Sequence, residues 1–593
     1  MMNDVVSLLR EQLSLLQAYA APAAASSAPA AAPAAAAVRV PAQVGASVVS
    51  RPLIEQWSVG VDLPAAALAP APSRPAVAAA EQSRVRDLVY AEISAVSAFP
   101  VTQLSDEVLV GQDLGFDSLM VTELLERLRR AFPVAAGQMV EGFLPKQPTI
   151  AQVVEVTSGL LGLPTAAPAA PVELAPVELA PAQPAPAPAA LPRPAAAEQR
   201  IEDFPELVQL EQRIAGIGRN PYFLLHEGTM RDTTKVGDQE LISFSGYNYL
   251  GLSGHPVVTA AVKDAVDRYG SSVSASRFLS GDRPVHRELE SELAALNGCE
   301  AALALVSGHA TNVSVIGHLM GPQDLILHDS LAHDSILQGC KLSGARRRPF
   351  PHNDMAALDA LLTKVRHEYR RVLVVVEGVY SMDGDLVDLP ALIEVKQRHG
   401  VLVMVDEAHS LGVVGAGGGG VGEHFAVDRS QVDLWAGTLS KSFAGCGGYV
   451  AGTERVITYL KCSVPGFVYS VGLTPANTAA SLAAIRVMRD EPERLKRLAE
   501  NSDRFLRLAR EAGIDTGDSY GSPVIPAIVK DSAKAVQLSA ALFDRGVSAN
   551  PILHPAVAEE LTRLRFFVTS EHTTEQIDYS VAALAEQWRR LNC

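Results

Sequence analysis

Two tracts dominated by Ala and Pro, residues 21–80 and 164–198, cut this chain into pieces. Such composition buries little apolar surface and favours extended, semi-stiff backbone, so neither tract suits a packed core. They read as linkers (21–81 and 163–199) and isolate an N-terminal helix within residues 1–20, a small domain at 82–162 and a large domain at 200–593. A length of 593 residues in any case calls for more than one core. In the N-terminal piece Val5, Leu8, Leu9, Leu13 and Leu16 recur at helical spacing. That stripe either docks on a partner helix or folds back on its own protein.

Charge and cysteine usage exclude several classes. A formal net charge of −16 lacks the basic footprint of a nucleic-acid binder. Cys299, Cys340, Cys446, Cys462 and Cys593 are odd in number, widely spaced and without a CxxC pair, which speaks against a disulfide framework and a structural zinc site. No metal-ligand spacing stands out. Neither a signal peptide nor an uninterrupted apolar run of spanning length is present, so a soluble, cytoplasmic protein with no membrane partner is expected.

In the small domain, Gly111 to Asp117 carries turn residues and a helix is expected from about Ser118 to Phe132, with Leu119, Leu125, Leu128 and Phe132 on its buried face. Ser118 then stands at a helix N-terminus, where backbone N–H groups and the helix dipole favour an attached anion. The ordinary reading of such a serine is a helix cap. The whole string Leu114-Gly115-Phe116-Asp117-Ser118-Leu119 resembles the attachment site of acyl carrier proteins. An earlier helix from about Arg84 to Ala98 and a last helix opening at Pro148-Thr149-Ile150 agree with a four-helix carrier. The resemblance implies 4′-phosphopantetheine on Ser118, placed there by a phosphopantetheinyl transferase.

In the large domain, Val372–Val376 and Val401–Val405 are continuous apolar runs, read as strands buried on both faces of a parallel sheet. Acids follow each: Glu377, then Asp406 and Glu407. Sites in α/β sheets collect at the carboxyl ends of strands. Further along come His409 and then Thr438-Leu439-Ser440-Lys441. A lone polar lysine is usually a solvated charge and a lone histidine usually structural. In this order they meet the needs of pyridoxal-phosphate chemistry: a lysine for the cofactor aldehyde, a carboxylate for the pyridinium nitrogen and a histidine for the ring's other edge.

Stretches spread over residues 200–593 resemble the α-oxoamine synthase family, fold-type-I enzymes that join an amino acid to an acyl thioester. They include Tyr247–Leu252, Ser276–Gly281, Ser307-Gly308-His309, His352-Asn353-Asp354, Glu377–Gly384, Asp406–His409 and Arg563-Leu564-Arg565. The resemblance implies a large α/β domain with a mostly parallel sheet, a C-terminal α/β subdomain and a homodimer. It further implies Lys441 as the covalent lysine, Asp406 at the pyridine nitrogen, His409 and Ser381 at the phenolic oxygen and His333 on the ring face. Gly308 and His309 would lie at the phosphate, Thr438 in the cofactor shell, and Arg565 at the amino-acid substrate; Thr569, four residues on, shares its strand face with Arg565 if the strand continues and would then touch the substrate. Departures are His309, where many relatives carry an aromatic ring, and Val471-Gly472 in place of hydroxyl residues after Ser470.

The implied reaction is decarboxylative condensation of a small amino acid with a carrier-bound acyl thioester, giving a 2-aminoketone. The fusion is similar to carrier-fused synthases of polyketide and prodigiosin-type pathways, with an upstream polyketide or fatty acid synthase as partner. An aminotransferase acting on a carrier-bound carbonyl and a non-catalytic carrier protein are the alternatives. Gly417–Gly422 matches the dinucleotide GxGxxG spacing without its strand–helix context. Arg346-Arg347-Arg348 reads as a solvated cluster, or as a guide for the acidic carrier.

Overall fold

The computed structural model describes residues 74–163 and 200–592, apart from 98–100, 102–103, 112–113, 115, 117, 134, 136–138, 140–147, 162, 206, 209–210, 212–219 and 555. The expected N-terminal helix lies outside the described residues.

Three helices are described in the small segment: α1 (Arg74–Ser97), α2 (Ser118–Ala131) and α3 (Ile150–Leu160). Helix α1 begins inside the stretch read as linker, where Ala favours helix over extended chain once a packed continuation exists. Both other helices pack on α1, and Val89, Ile93, Leu124, Leu128, Ile150 and Val153 are fully buried between them. Leu125 and Phe132 are buried and Glu126 is exposed, as the helical period requires. Thr149 closes a capping box with Gln152 at the start of α3. Ser118 is the first residue of α2; its side chain and those of Leu119 and Glu123 lie outside the described residues.

The large segment carries fourteen described strands: β1 (His226–Glu227), β2 (Thr233–Val236), β3 (Gln239–Ser243), β4 (Ala301–Leu305), β5 (Leu325–Asp329), β6 (Arg346–Phe350), β7 (Val372–Glu377), β8 (Leu402–Asp406), β9 (Leu434–Thr438), β10 (Gly448–Gly452), β11 (Val524–Ile528), β12 (Val547–Ser548), β13 (Asn550–Ile552) and β14 (Arg563–Phe567). Seven form the main sheet in the order β4-β10-β9-β8-β7-β5-β6. Strands β9, β8, β7, β5 and β6 are parallel, whereas β10 runs antiparallel to both its neighbours, so the sheet is mixed. The valine run of β7 is buried throughout because each face has its own core. Val372, Val374 and Val376 point into one cluster, and Leu373 and Val375 into another. A third cluster, around Phe244, Phe505, Phe566 and Trp588, packs against the C-terminal sheet β11-β14-β13.

The arginine triplet is not the solvated cluster expected from sequence. It forms β6, paired in parallel with β5, and while Arg346 at the strand's start is exposed, Arg348 opposite Leu327 is buried. The glycine run 417–422 leads into a short helix, Gly420–His424, and closes on the chain's own acids: Gly417 and Gly419 donate to Glu423, and Val421 donates to Glu407. Among the described residues no helix is long and apolar enough to cross a membrane.

The register of the parallel strands positions the site. Glu377 and Asp406 are direct partners at the ends of β7 and β8, and Asp329 and Thr438 end β5 and β9 at the same edge.

Candidate active site

A cavity of about 240 Å³ opens at this carboxyl edge. Strand ends supply Glu377, Asp406 and Thr438, and the loops after them supply His409 and Lys441. Helix α4 (Gly308–Leu319) supplies Gly308, His309 and Asn312, and the loop before helix α5 (Asp334–Ser343) supplies His333. Of the site residues expected from sequence, Gly308, His309, His333, Asp406, His409, Thr438 and Lys441 thus share one cavity.

Both oxygens of the Asp406 carboxylate are held. Asn312 Nδ2 donates to Oδ2 at 2.6 Å and the Ala408 N–H donates to Oδ1 at 2.9 Å. Asn312 also donates to Ser335 Oγ at 2.9 Å, which ties α4 to α5. Burial pushes the Lys441 ammonium down to about 8, against the opposing pull of Asp406 and Glu377. Burial, reinforced by the Asp406 charge, pushes the Glu377 carboxyl up to about 8. Glu377 Oε2 accepts from the Ser381 N–H at 3.2 Å, while its Oε1 is buried without a hydrogen-bond partner. His409 is buried and held well below its ordinary pKa by that burial, with Lys441 and Arg565 adding to the effect. Its Nδ1 shares a 2.8 Å hydrogen bond with Tyr249 Oη. His333 faces the cavity, and desolvation there also lowers its pKa.

An aromatic wall lies beside the lysine. Lys441 Nζ stands 5.9 Å from the centre of the Tyr247 ring, and Tyr247 meets Phe567 edge-on at 4.7 Å. Arg565, on β14, stacks over Phe567 at 4.6 Å and donates through Nη1 to the Ser381 carbonyl at 2.7 Å. Its Nε is buried without a partner, so the fork keeps a donor to offer a carboxylate.

These features fit the pyridoxal phosphate expected from sequence. Lys441 can lose its proton near neutral pH and meet an aldehyde, and Asp406 is a fixed carboxylate for a ring N–H. The first turn of α4 favours a phosphate. Its Gly308 is tight: a Cβ there would lie 2.9 Å from Thr438 Cβ.

Other expectations fall differently. Strand β14 ends at Phe567, so Thr569 lies beyond it, and its hydroxyl sits 3.4 Å from His572 Nδ1 and accepts from the Glu571 N–H. His309 has an exposed side chain, 4.0 Å from Asp334. No role for Asn312 or Tyr249 follows from the sequence, which marks Glu377 only as an acid at the carboxyl end of a strand. Asn312 sits one helical turn after Gly308.

A second polar cluster lies behind the cavity. His352 sits between Asp329 (Nδ1, 2.9 Å) and Asp385 (Nε2, 3.0 Å), and these two carboxylates outweigh its burial and raise it to about 10. Asp329 also accepts from Tyr380 Oη and from the Leu331 and Asn353 N–H groups, each at 2.8 Å. This clamp joins the loop leading to His333 with the loop carrying Ser381.

Comparison with known proteins accords with this geometry. Residues 239–584 match the family described as aminotransferase class I and II. The chain is 39% identical over 383 residues to a serine palmitoyltransferase of Bacteroides thetaiotaomicron, covering 65% of this chain and 96% of the relative. It is 40% identical over 365 residues to an 8-amino-7-oxononanoate synthase of Symbiobacterium thermophilum, covering 62% and 93%. A Sphingomonas wittichii serine palmitoyltransferase superposes with a TM-score of 0.62 at 31% identity, covering 65% of this chain and 97% of that one. A serine palmitoyltransferase solved with pyridoxal phosphate gives 0.63 at 29% identity, covering 66% and 98%. With a family match over more than half its length and α-oxoamine synthases among its homologues, this chain belongs to the class I and II aminotransferase family.

Proposed function

We propose that this protein is a pyridoxal-phosphate enzyme that condenses a small amino acid with an acyl thioester carried on its own Ser118 through 4′-phosphopantetheine, releasing CO2 and a 2-aminoketone. The observation that carries the reading is the gathering of Lys441, Asp406, His409 and His333 around one cavity, with Arg565 alongside. Names of similar proteins, serine palmitoyltransferase and 8-amino-7-oxononanoate synthase, support condensation over transamination.

When bound, pyridoxal phosphate supplies an electron sink for charge developing at the amino acid's Cα. Arg565 binds the substrate carboxylate through the donor left over from its bond to Ser381. Lys441, with its pKa lowered to about 8, takes the α-proton as a general base. His333 covers one face of the cavity, and His409, kept neutral by burial, offers an uncharged ring nitrogen. Thr438 and Gly308 complete the cofactor shell, and Ser381 is fixed by its bond to Glu377. Thr569 supports the substrate pocket through its contact with His572. A bond forms between Cα and the thioester carbonyl carbon, the thiol leaves with a proton, the substrate carboxylate departs as CO2, and Cα regains a proton.

Carrier, linker and synthase on one chain raise the local concentration of the acyl arm. A homodimer, a phosphopantetheinyl transferase and an upstream polyketide or fatty acid synthase complete the setting. Intact-protein mass spectrometry tests the reading. Holo protein acylated on Ser118 receives pyridoxal phosphate and Gly, Ala or Ser singly. Loss of the acyl mass with one amino acid, leaving a free thiol arm, is expected, with Lys441→Ala inactive. Persistence of the acyl mass with all three, alongside turnover of an acyl-CoA in the Ser118→Ala protein, would remove the own-carrier step. Formation of a keto acid without CO2 would favour the aminotransferase alternative.

A further inference from the structure

The main sheet carries a second cavity, of about 280 Å³, at its opposite edge. Leu373, Leu402 and Leu434 line it near the starts of β7, β8 and β9, and Gly452 ends the antiparallel β10 there. Its floor is apolar: Leu319 and Met320 at the end of α4, Leu373, Val432, Leu434, and Val456 in helix α6 (Glu454–Ser463). No residue of the candidate active site reaches it.

Its rim is polar and unevenly matched. The acids at the rim are engaged, since Glu300 accepts from the Glu454 N–H at 2.9 Å and Asp433 pairs with Lys396 at 2.7 Å. Arg429 donates to the Leu296 carbonyl at 2.6 Å. Arg371 is half-exposed, and its nearest carboxylate, Asp324, is 4.0 Å away and already held by two 3.0 Å bonds from Arg370. An apolar pocket of this size, at the small end of the roughly 300–1,000 Å³ usual for ligand sites, with a half-exposed guanidinium at its mouth whose ion pair to Asp324 is long and shared, has a definite complement.

We propose that this cavity binds a small amphiphilic monocarboxylate, its aliphatic chain on the Leu319–Met320–Leu434 floor and its carboxylate on Arg371. The site stands apart from the reading given to the carboxyl edge and survives its failure. Cys299 lines the same cavity and reports on it, because a bound chain would shield its sulfur. Burial pushes this thiol up to about 11, so alkylation is best followed at mildly alkaline pH.

Full-length protein saturated with pyridoxal phosphate is titrated calorimetrically with sodium octanoate and, separately, with 1-octanol. Octanoate is expected to bind the native protein more tightly than octanol does. Arg371→Gln should weaken octanoate about tenfold, the loss of one charge-assisted hydrogen bond, and leave octanol unchanged. In the native protein, octanoate should slow iodoacetamide labelling of Cys299 severalfold and not that of exposed Cys446. Unchanged labelling of Cys299 at millimolar octanoate, or equal octanoate affinity in Arg371→Gln, would overturn the proposal.

Discussion

Two histidines a few strands apart, His352 half-buried and His409 buried, have been driven in opposite directions. His352 lies between two carboxylates and is raised to about 10, so it stays a cation through the physiological range. His409 has one neutral partner, Tyr249, and faces the positive charges of Lys441 and Arg565; burial then wins, and the ring stays neutral. Within the clamp Asp329 accepts four hydrogen bonds, whereas Asp385 accepts through Oδ2 and leaves Oδ1 buried without a partner. At the cavity, Glu377 Oε1, Asn312 Oδ1 and Arg565 Nε are buried with no hydrogen-bond partner. Unpaired buried polar groups cost folding free energy, and these three lie where burial has displaced the pKa values of Lys441 and Glu377, a combination that marks a functional place.

This contrast is broken most severely by Lys441→Ala. Under the proposed function, removing the amine removes the base and the covalent tether together. CO2 release should fall by at least about 10²–10⁴-fold, the scale of a lost general base, with the unfolding free energy unchanged to within about 1 kcal/mol. A variant that unfolds, or one that keeps turnover, would place Lys441 with the structural set.

The mirror experiment is His352→Gln. It leaves Asp329 buried with less compensation, and the expected loss is about 3 kcal/mol of stability by denaturant titration. The pH dependence has a definite sign. A histidine whose folded pKa is raised contributes stability that is fully present below about 6.5 and is lost as pH rises toward about 10. The stability gap between native and variant protein should therefore shrink steadily from pH 6.5 to 10. A gap independent of pH would mean that His352 acts through packing alone.

How much of this was legible depended on whether a residue's partner is local or remote. The valine runs announced β7 and β8 because both faces of these strands are covered, and their terminal acids were recognisable as strand ends. The lysine, the carboxylate and the histidine were found by order and type. Asn312 and Tyr249 were not, since their partners Asp406 and His409 lie 94 and 160 residues away and nothing local marks them. Thr569 was placed by assuming that a strand continued, and β14 stops two residues short of it. Arg348 looked like surface charge because a triplet of arginines carries no sign of sheet pairing in its own composition.

Tyr249→Phe tests how His409 is held on the cavity side of this comparison. The hydroxyl hydrogen-bonds His409 Nδ1, and its loss should cost about 1 kcal/mol of stability. Turnover should fall severalfold without loss of bound cofactor absorbance. His409→Gln should lower turnover further while costing less stability than His352→Gln. Equal stability costs for the two histidine variants would erase the distinction drawn above.

Glu377→Gln produces the smallest change and the most informative one. Glu377 is pushed up to about 8 and Lys441 down to about 8, so each titrates where the other does. The negative form of Glu377 favours the ammonium form of Lys441. Replacing it with a neutral amide removes that support, so Lys441 should lose its proton at lower pH. In the apoprotein, the rate of reaction of Lys441 with an aldehyde, followed by borohydride trapping and peptide mass spectrometry, should rise through about pH 8 in the native protein and at lower pH in the variant. A rise at the same pH in both proteins would mean that Glu377 is protonated throughout the range and exerts no charge on the lysine. A displaced rise would mean that the pair, rather than the lysine alone, sets the pH at which the cavity becomes reactive.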